Sequence, residues 1–149
     1  MHKIMFVCHG NICRSTLAEF LMKDFVKKAG REDDFLIASS GTSNEEEGSP
    51  VHYGTRAILK KRGIDCFNKR AVQLKASDYD KYDLFIGMDR ANVKNMTRIF
   101  GGDSKGKVKL LLEYTASPRD VIDPYWTGDF TATESDVLEG VLALLDSLK

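Results

Sequence analysis

Lys3-Ile4-Met5-Phe6-Val7-Cys8 is a nearly continuous apolar run. It leads without a gap into the loop Cys8-His9-Gly10-Asn11-Ile12-Cys13-Arg14-Ser15 and then into a segment of helical period. No other feature constrains the fold as much. A short segment apolar on both of its faces reads as a strand covered on both sides, as in a parallel sheet sandwiched between helices.

The rest of the chain repeats the alternation. From Ser15 to Ala29, Leu17, Phe20, Leu21 and Phe25 share one helical face, and Gly30 offers a stop. Phe35-Leu36-Ile37-Ala38 reads as a second strand, and 41–50 as a polar loop with the acidic run Glu45-Glu46-Glu47. A helix is expected from Pro50 to Arg62, ending at Gly63. Asp83 to Met88 reads as a third strand, Arg90 to Phe100 as a helix, and Lys107 to Leu112 as a fourth strand. A long loop from Glu113 to Thr131 precedes a last helix from Ala132 to Leu148. The order predicts one α/β domain over 1–149: a four-stranded parallel sheet flanked by helices on both faces, with right-handed crossovers. Ligands in such sheets bind beyond the carboxyl ends of the strands, where strand order reverses. The Cys8 loop leaves such an end.

The loop has the chemistry of an anion cradle. A turn into a helix N-terminus aims backbone N–H groups and the positive end of the helix dipole at one point. Gly10 allows close backbone approach, and Asn11 tolerates the left-handed φ that a tight cradle needs. Arg14 can grip two phosphate oxygens with its planar fork. A thiol in such a field can be ionised at neutral pH, which makes Cys8 a candidate nucleophile. Ser15 could donate a hydrogen bond to the thiolate, and it stands where an N-cap is expected. The C-x5-R spacing alone recurs by chance, and a lone cysteine after a strand is ordinarily core. The strand, the Gly, the Asn, the Arg-Ser pair and the helix together give it weight. The GxxxxGK[ST] nucleotide loop is absent. Cys8, Cys13 and Cys66 show no metal-ligand spacing, so no metal is expected.

Composition agrees with a soluble globular chain. Of 149 residues, 42% are hydrophobic and 30% charged, and Lys+Arg and Asp+Glu both number 22. The even balance favours neither nucleic-acid nor membrane partners. No apolar run approaches the roughly 20 residues of a membrane span, and the N-terminal run is too short for a signal peptide. The odd cysteine count does not suit a secreted disulfide framework, so a cytoplasmic location is expected.

VCHGNICRS at 7–15, with Asp123-Pro124-Tyr125, resembles the low-molecular-weight protein tyrosine phosphatases over essentially the whole chain. The resemblance implies hydrolysis of phosphotyrosine on proteins through a phosphocysteine intermediate, without metal or cofactor. It implies that Cys8 is the nucleophile, Arg14 binds phosphate, Ser15 tunes the thiolate, Asn11 holds the loop and Asp123 is the general acid. His9, Gly10, Ile12 and Cys13 complete the phosphate loop. A carboxylic acid there suits the chemistry, because the leaving phenolate must be protonated and the intermediate then hydrolysed by water. Asp120 is a lesser alternative. Tyr125 and Trp126 are read as pocket walls for a phenyl ring, and family members can be phosphorylated at the position of Tyr125. Related arginine phosphatases carry Thr where this chain has Ile12 and tend to have Phe in place of Tyr125, so both residues point to phosphotyrosine. Cys13 is expected to be a redox partner that captures oxidised Cys8 as a disulfide. Expected partners are phosphotyrosine proteins, with phosphate or other oxyanions as product or inhibitor, and the expected state is a monomer.

Two departures stand out. Relatives often place an aromatic in the loop after the second strand, where this chain has Asn44-Glu45-Glu46-Glu47. If that stretch rims the pocket, basic phosphopeptides should be preferred over acidic ones. Many relatives have a His before the third strand. Here Lys69 stands instead, and a Lys69–Asp89 pair is conceivable. His2, His9 and His52 are not expected to be catalytic, though His9 could touch substrate. Cys66 reads as structural. Rival readings are an arsenate reductase, which needs a second downstream cysteine that this chain lacks, a silent phosphate-binding module and a thiol redox sensor.

Overall fold

The computed structural model describes residues 1–148. Strand β1 (His2–Cys8) lies inside the sheet, with Ile4, Phe6 and Val7 fully buried. Its side chains alternate between faces. Ile4, Phe6 and Cys8 join one core cluster, and Met5 and Val7 join the other. Burying each large apolar side chain contributes about 1.5–3 kcal/mol, which is why this run goes to the centre.

β1 pairs in parallel with β2 (Phe35–Gly41) on one side and with β3 (Leu84–Gly87) on the other. β4 (Val108–Leu110) extends the sheet beyond β3, giving the order β2-β1-β3-β4. Helices α1 (Arg14–Lys28), α2 (Tyr53–Lys61) and α5 (Phe130–Ser147) cover one face, where Leu17, Leu21, Leu59, Val137 and Leu144 share a core. Helix α3 (Arg90–Phe100) covers the other with Met96, over an aromatic cluster of Tyr79, Phe85 and Phe100. The short helix α4 (Pro124–Thr127) stands near the carboxyl ends of the strands. The chain steps from β1 outward to β2 and then returns to β3 on the opposite side. The switch point therefore falls between β1 and β3, beside Cys8. Among the described residues, no helix is long and apolar enough to cross a membrane.

The expected architecture is present, with shifted boundaries. β2 continues through Ser39-Ser40-Gly41, because Phe6, Val7 and Cys8 of β1 pair with these polar and small residues. α2 begins three residues later than expected. Pro50 is held in an antiparallel bridge to Arg70, and His52 caps the helix by accepting from Gly54 N. β4 is shorter, since Leu111–Tyr114 turns into a 3₁₀ segment. α5 starts two residues early, because Asp129 Oδ1 accepts from Ala132 N at 2.9 Å.

Candidate active site

Residues 8 to 13 carry the chain from β1 to α1. Asn11 has φ 59°, the one non-glycine residue with positive φ among those described. Its side chain explains how that conformation is held. Asn11 Nδ2 donates to Ser15 Oγ and to Ser39 Oγ, each at 2.9 Å, and Oδ1 accepts from Val72 N at 3.1 Å. Three distant segments are thus pinned by one amide, itself only 1% exposed. Gly41 lies directly beneath: a Cβ there would stand 2.7 Å from the His9 carbonyl oxygen and 3.2 Å from Asn11 N.

The same bonds leave the Ser15 hydrogen free. Cys8 Sγ lies 3.0 Å from Ser15 Oγ. Both hydrogens of Asn11 Nδ2 are spent on serine oxygens, so Ser15 Oγ accepts there and its own hydrogen is left free for sulfur. Asn11 N also donates to Cys8 Sγ, at 3.3 Å. A sulfur that accepts from two donors is in the surroundings a thiolate needs. Ser15 itself lies inside α1 and does not cap it, contrary to expectation. Cys13 occupies the N-cap position and offers no side-chain bond. The first turn of α1 is therefore left to satisfy its N–H groups with a ligand or solvent.

Arg14 is 2% exposed. Its Nη1 donates to Asp89 Oδ2 at 2.7 Å and to the Val121 carbonyl at 2.8 Å, and Nη2 reaches Asp123 Oδ2 at 3.4 Å. Burial opposes its charge, yet Cys8 and the two carboxylates more than compensate and raise its pKa. With Nη1 fully used, Nε and the remaining hydrogen of Nη2 form the parallel fork left for an oxyanion. Asp89 was not foreseen as part of the site. It follows β3 directly, at the switch point, and also caps α3 by accepting from Asn92 N at 2.8 Å.

Above the loop opens a cavity of about 220 Å³. Cys8, Gly10, Cys13 and Arg14 line it together with His9 and Ile12 from the loop, Asp123, Tyr125 and Trp126 from the α4 region, and Glu45 and Glu46. Every predicted site residue lies on this cavity except Asn11 and Ser15, which support it from behind. Asp123 begins α4, accepting from Tyr125 N at 3.0 Å, with Pro124 as the first helical residue. Tyr125 and Trp126 are 61% and 81% exposed and meet edge to face. Asp120 faces elsewhere, accepting from Arg90 N and pairing with its guanidinium.

A second layer escaped the sequence reading. Ser39 Oγ donates to the buried Glu19, which also pairs with Lys23. Lys69 does not reach Asp89. Its Nζ donates to the Ser39 carbonyl at 2.8 Å and lies 3.6 Å from Glu19, while Asp89 is taken by Arg14. Burial lowers the Lys69 pKa, with Glu19 opposing. Glu19 stands four residues before Lys23, the spacing of an ordinary surface pair, and nothing in that spacing points to burial.

All three cysteines are free and buried. Burial, then the neighbouring Cys8 and Asp123, push the Cys13 thiol up to about 12. Cys66 is buried away from this cavity, in keeping with a structural role.

The family model described as low molecular weight phosphotyrosine protein phosphatase matches residues 3–149. The low molecular weight protein-tyrosine-phosphatase YfkJ of Bacillus subtilis is 35% identical, over 100% of this chain and 97% of its own length. Its crystal structure superposes with a TM-score of 0.95, covering 99% of this chain and 94% of that one. A low molecular weight protein tyrosine phosphatase from Streptococcus pyogenes is 39% identical with a TM-score of 0.90, covering 100% and 94%. The drosophila arginine phosphatase shares the fold at 26% identity, with a TM-score of 0.89 and coverage of 99% and 98%. On the family match and these identities, the chain belongs to the low molecular weight phosphotyrosine protein phosphatases.

Proposed function

We propose that this protein hydrolyses phosphotyrosine on proteins, with Cys8 as nucleophile. The observation that carries this reading is the Ser15 hydroxyl, 3.0 Å from Cys8 Sγ and with its hydrogen left free by Asn11. A phosphate dianion enters the cradle on the free fork of Arg14 and the N–H groups of the first turn of α1. Cys8 attacks phosphorus while Asp123, at the cavity edge, protonates the leaving phenolate. The phosphocysteine is then attacked by water, whose proton passes to the Asp123 carboxylate, and phosphate leaves. Glycine-lined depth matters as well. With Cys8 only 3% exposed at the bottom and Tyr125 and Trp126 standing at the mouth, a phenyl phosphate spans the distance better than a shorter serine phosphate. Ile12 and Tyr125, rather than Thr and Phe, favour phosphotyrosine over phosphoarginine on the same scaffold.

Cys13 is assigned as the resolving thiol. Peroxide oxidises the Cys8 thiolate to a sulfenic acid. Cys13 then displaces hydroxide from that sulfur, closing a disulfide and releasing water. A reducing, cytoplasmic compartment and a monomeric state complete the proposal, the first supported by three unpaired thiols.

The test is phosphate release from one peptide sequence bearing phosphotyrosine, phosphoserine or phosphoarginine, under reductant, with wild type and Cys8→Ser. Strong preference for phosphotyrosine and a dead Cys8→Ser enzyme are expected. Preference for phosphoarginine would overturn the specificity, and release by Cys8→Ser would overturn the nucleophile.

A further inference from the structure

The phosphotyrosine cavity has an acidic lip. Glu45 and Glu46, from the loop after β2, line it together with the uncharged Tyr125 and Trp126. This lip is built onto the phosphate loop rather than hanging free. Thr42 N donates to the Cys8 carbonyl at 2.9 Å and Ser43 N to the His9 carbonyl at 3.0 Å. The Ser43 hydroxyl in turn accepts from Glu45 N. Glu45 Oε2 lies 3.3 Å from His9 Nε2, and the Glu45 side chain is 71% exposed. The Glu46 stem packs over Gly10, where a Cβ would stand 3.5 Å from its Cγ, and its carboxylate accepts from Ser49 Oγ at 3.0 Å. Among the described residues, Arg14 is the sole lysine or arginine on the cavity. It is buried at the floor and committed to Asp89 and Val121, so it cannot neutralise the lip.

A peptide whose phosphotyrosine fills the cavity must lead its flanking residues out across this lip. Acidic neighbours there would meet two carboxylates of like charge, and basic neighbours would meet partners. Building on the phosphotyrosine reading, we propose that Glu45 and Glu46 select protein segments carrying Lys or Arg beside the phosphotyrosine. Contacts of this exposed kind alter affinity by a few fold each and fade with salt.

Two phosphotyrosine peptides that differ only in flanking Lys or flanking Glu test this, by kcat/KM at low and at high salt. Wild type should favour the basic peptide by roughly five- to ten-fold at low salt, as two exposed ion pairs would give, and the gap should narrow at high salt. The ratio between peptides, read within each enzyme, should collapse toward unity in the double variant Glu45→Gln/Glu46→Gln. It should persist in Glu47→Gln, which removes the same kind of charge from a residue off the cavity. Equal rates on both peptides in wild type, or a ratio unchanged by the double variant, would overturn the lip as a selector while leaving the phosphatase reading intact. Failure to cleave either peptide would overturn the phosphotyrosine reading itself, and the selector with it.

Discussion

Asp89 Oδ2 holds Arg14 Nη1 at 2.7 Å across 75 residues of chain, while Asp89 Oδ1 accepts from Asn92 N and starts α3. One carboxylate thus aims the phosphate-binding fork and caps a helix. Asp89→Asn separates the two tasks. Asn caps about as well as Asp, so the loss of stability should come from the buried Arg14 contact rather than from the helix end, at about 1–3 kcal/mol. Its amide nitrogen would confront Arg14 donor to donor, and kcat/KM should fall about ten-fold, chiefly through KM, with weaker inhibition by inorganic phosphate. Steady-state kinetics and thermal melts check this; unchanged kinetics would show that Val121 alone orients the fork.

Ser15→Ala removes the hydrogen aimed at Cys8 and leaves one hydrogen of Asn11 Nδ2 without its partner. The alkylation rate of Cys8 at pH 6 should drop, and kcat with it, by roughly ten-fold, in line with a hydrogen bond to a charged group of about 1.5 kcal/mol. Iodoacetamide kinetics measure the first effect directly.

Asp123→Asn keeps the cap on Tyr125 N but cannot supply a proton. General acid catalysis is worth about 10²–10⁴, and the loss should depend on the leaving group. Tyrosine phosphate should suffer far more than p-nitrophenyl phosphate, whose leaving group needs little help. Equal losses on both substrates would reassign the acid.

Gly41→Ala forces a Cβ to within 2.7 Å of the His9 carbonyl, against backbone that has nowhere to go. Overpacking of this kind costs about 1–3 kcal/mol, and here it falls on the phosphate loop. A lower melting temperature together with at least a ten-fold loss of kcat/KM is expected.

Cys13 is the prediction about oxidation. Its thiol, pushed up to about 12 by burial and by Cys8, stays protonated at neutral pH and leaves nucleophilic attack on substrate to Cys8. A brief peroxide pulse should inactivate wild type reversibly, with full recovery in reductant. Cys13→Ser should lose activity irreversibly, and mass spectrometry should find sulfinic acid at Cys8.

These residues also mark how far the sequence could be read. β1, the loop and α1 were legible because the apolar run, Gly10, Asn11 and Arg14 are contiguous and each has a local reason. Helix α4 was hidden inside a long loop, though Asp123-Pro124 before Gly128 is the order of cap, first helical residue and left-handed stop. Ser39, Glu19 and Val72 carry no local signal, and Asp89, which stands as a cap before the Arg90 helix, carries none for its grip on Arg14. Their roles come from sheet register and from the switch point, which bring together positions up to 109 residues apart, as with Arg14 and Asp123. Lys69 has a visible charge, but its partners, Glu19 and the Ser39 carbonyl, lie on other elements and carry no local mark.

The amide of Asn11 ties the loop to Ser39 in the second strand and to Val72 in the segment before the third. Detachment of that segment alone would cost the Asn11 amide one of its three partners while the sheet stayed paired. The catalytic centre is therefore coupled to an opening smaller than unfolding of the whole domain. Activity should disappear at lower denaturant concentration than the far-ultraviolet helix signal, with Val72 N exchanging its hydrogen ahead of the amides of β1.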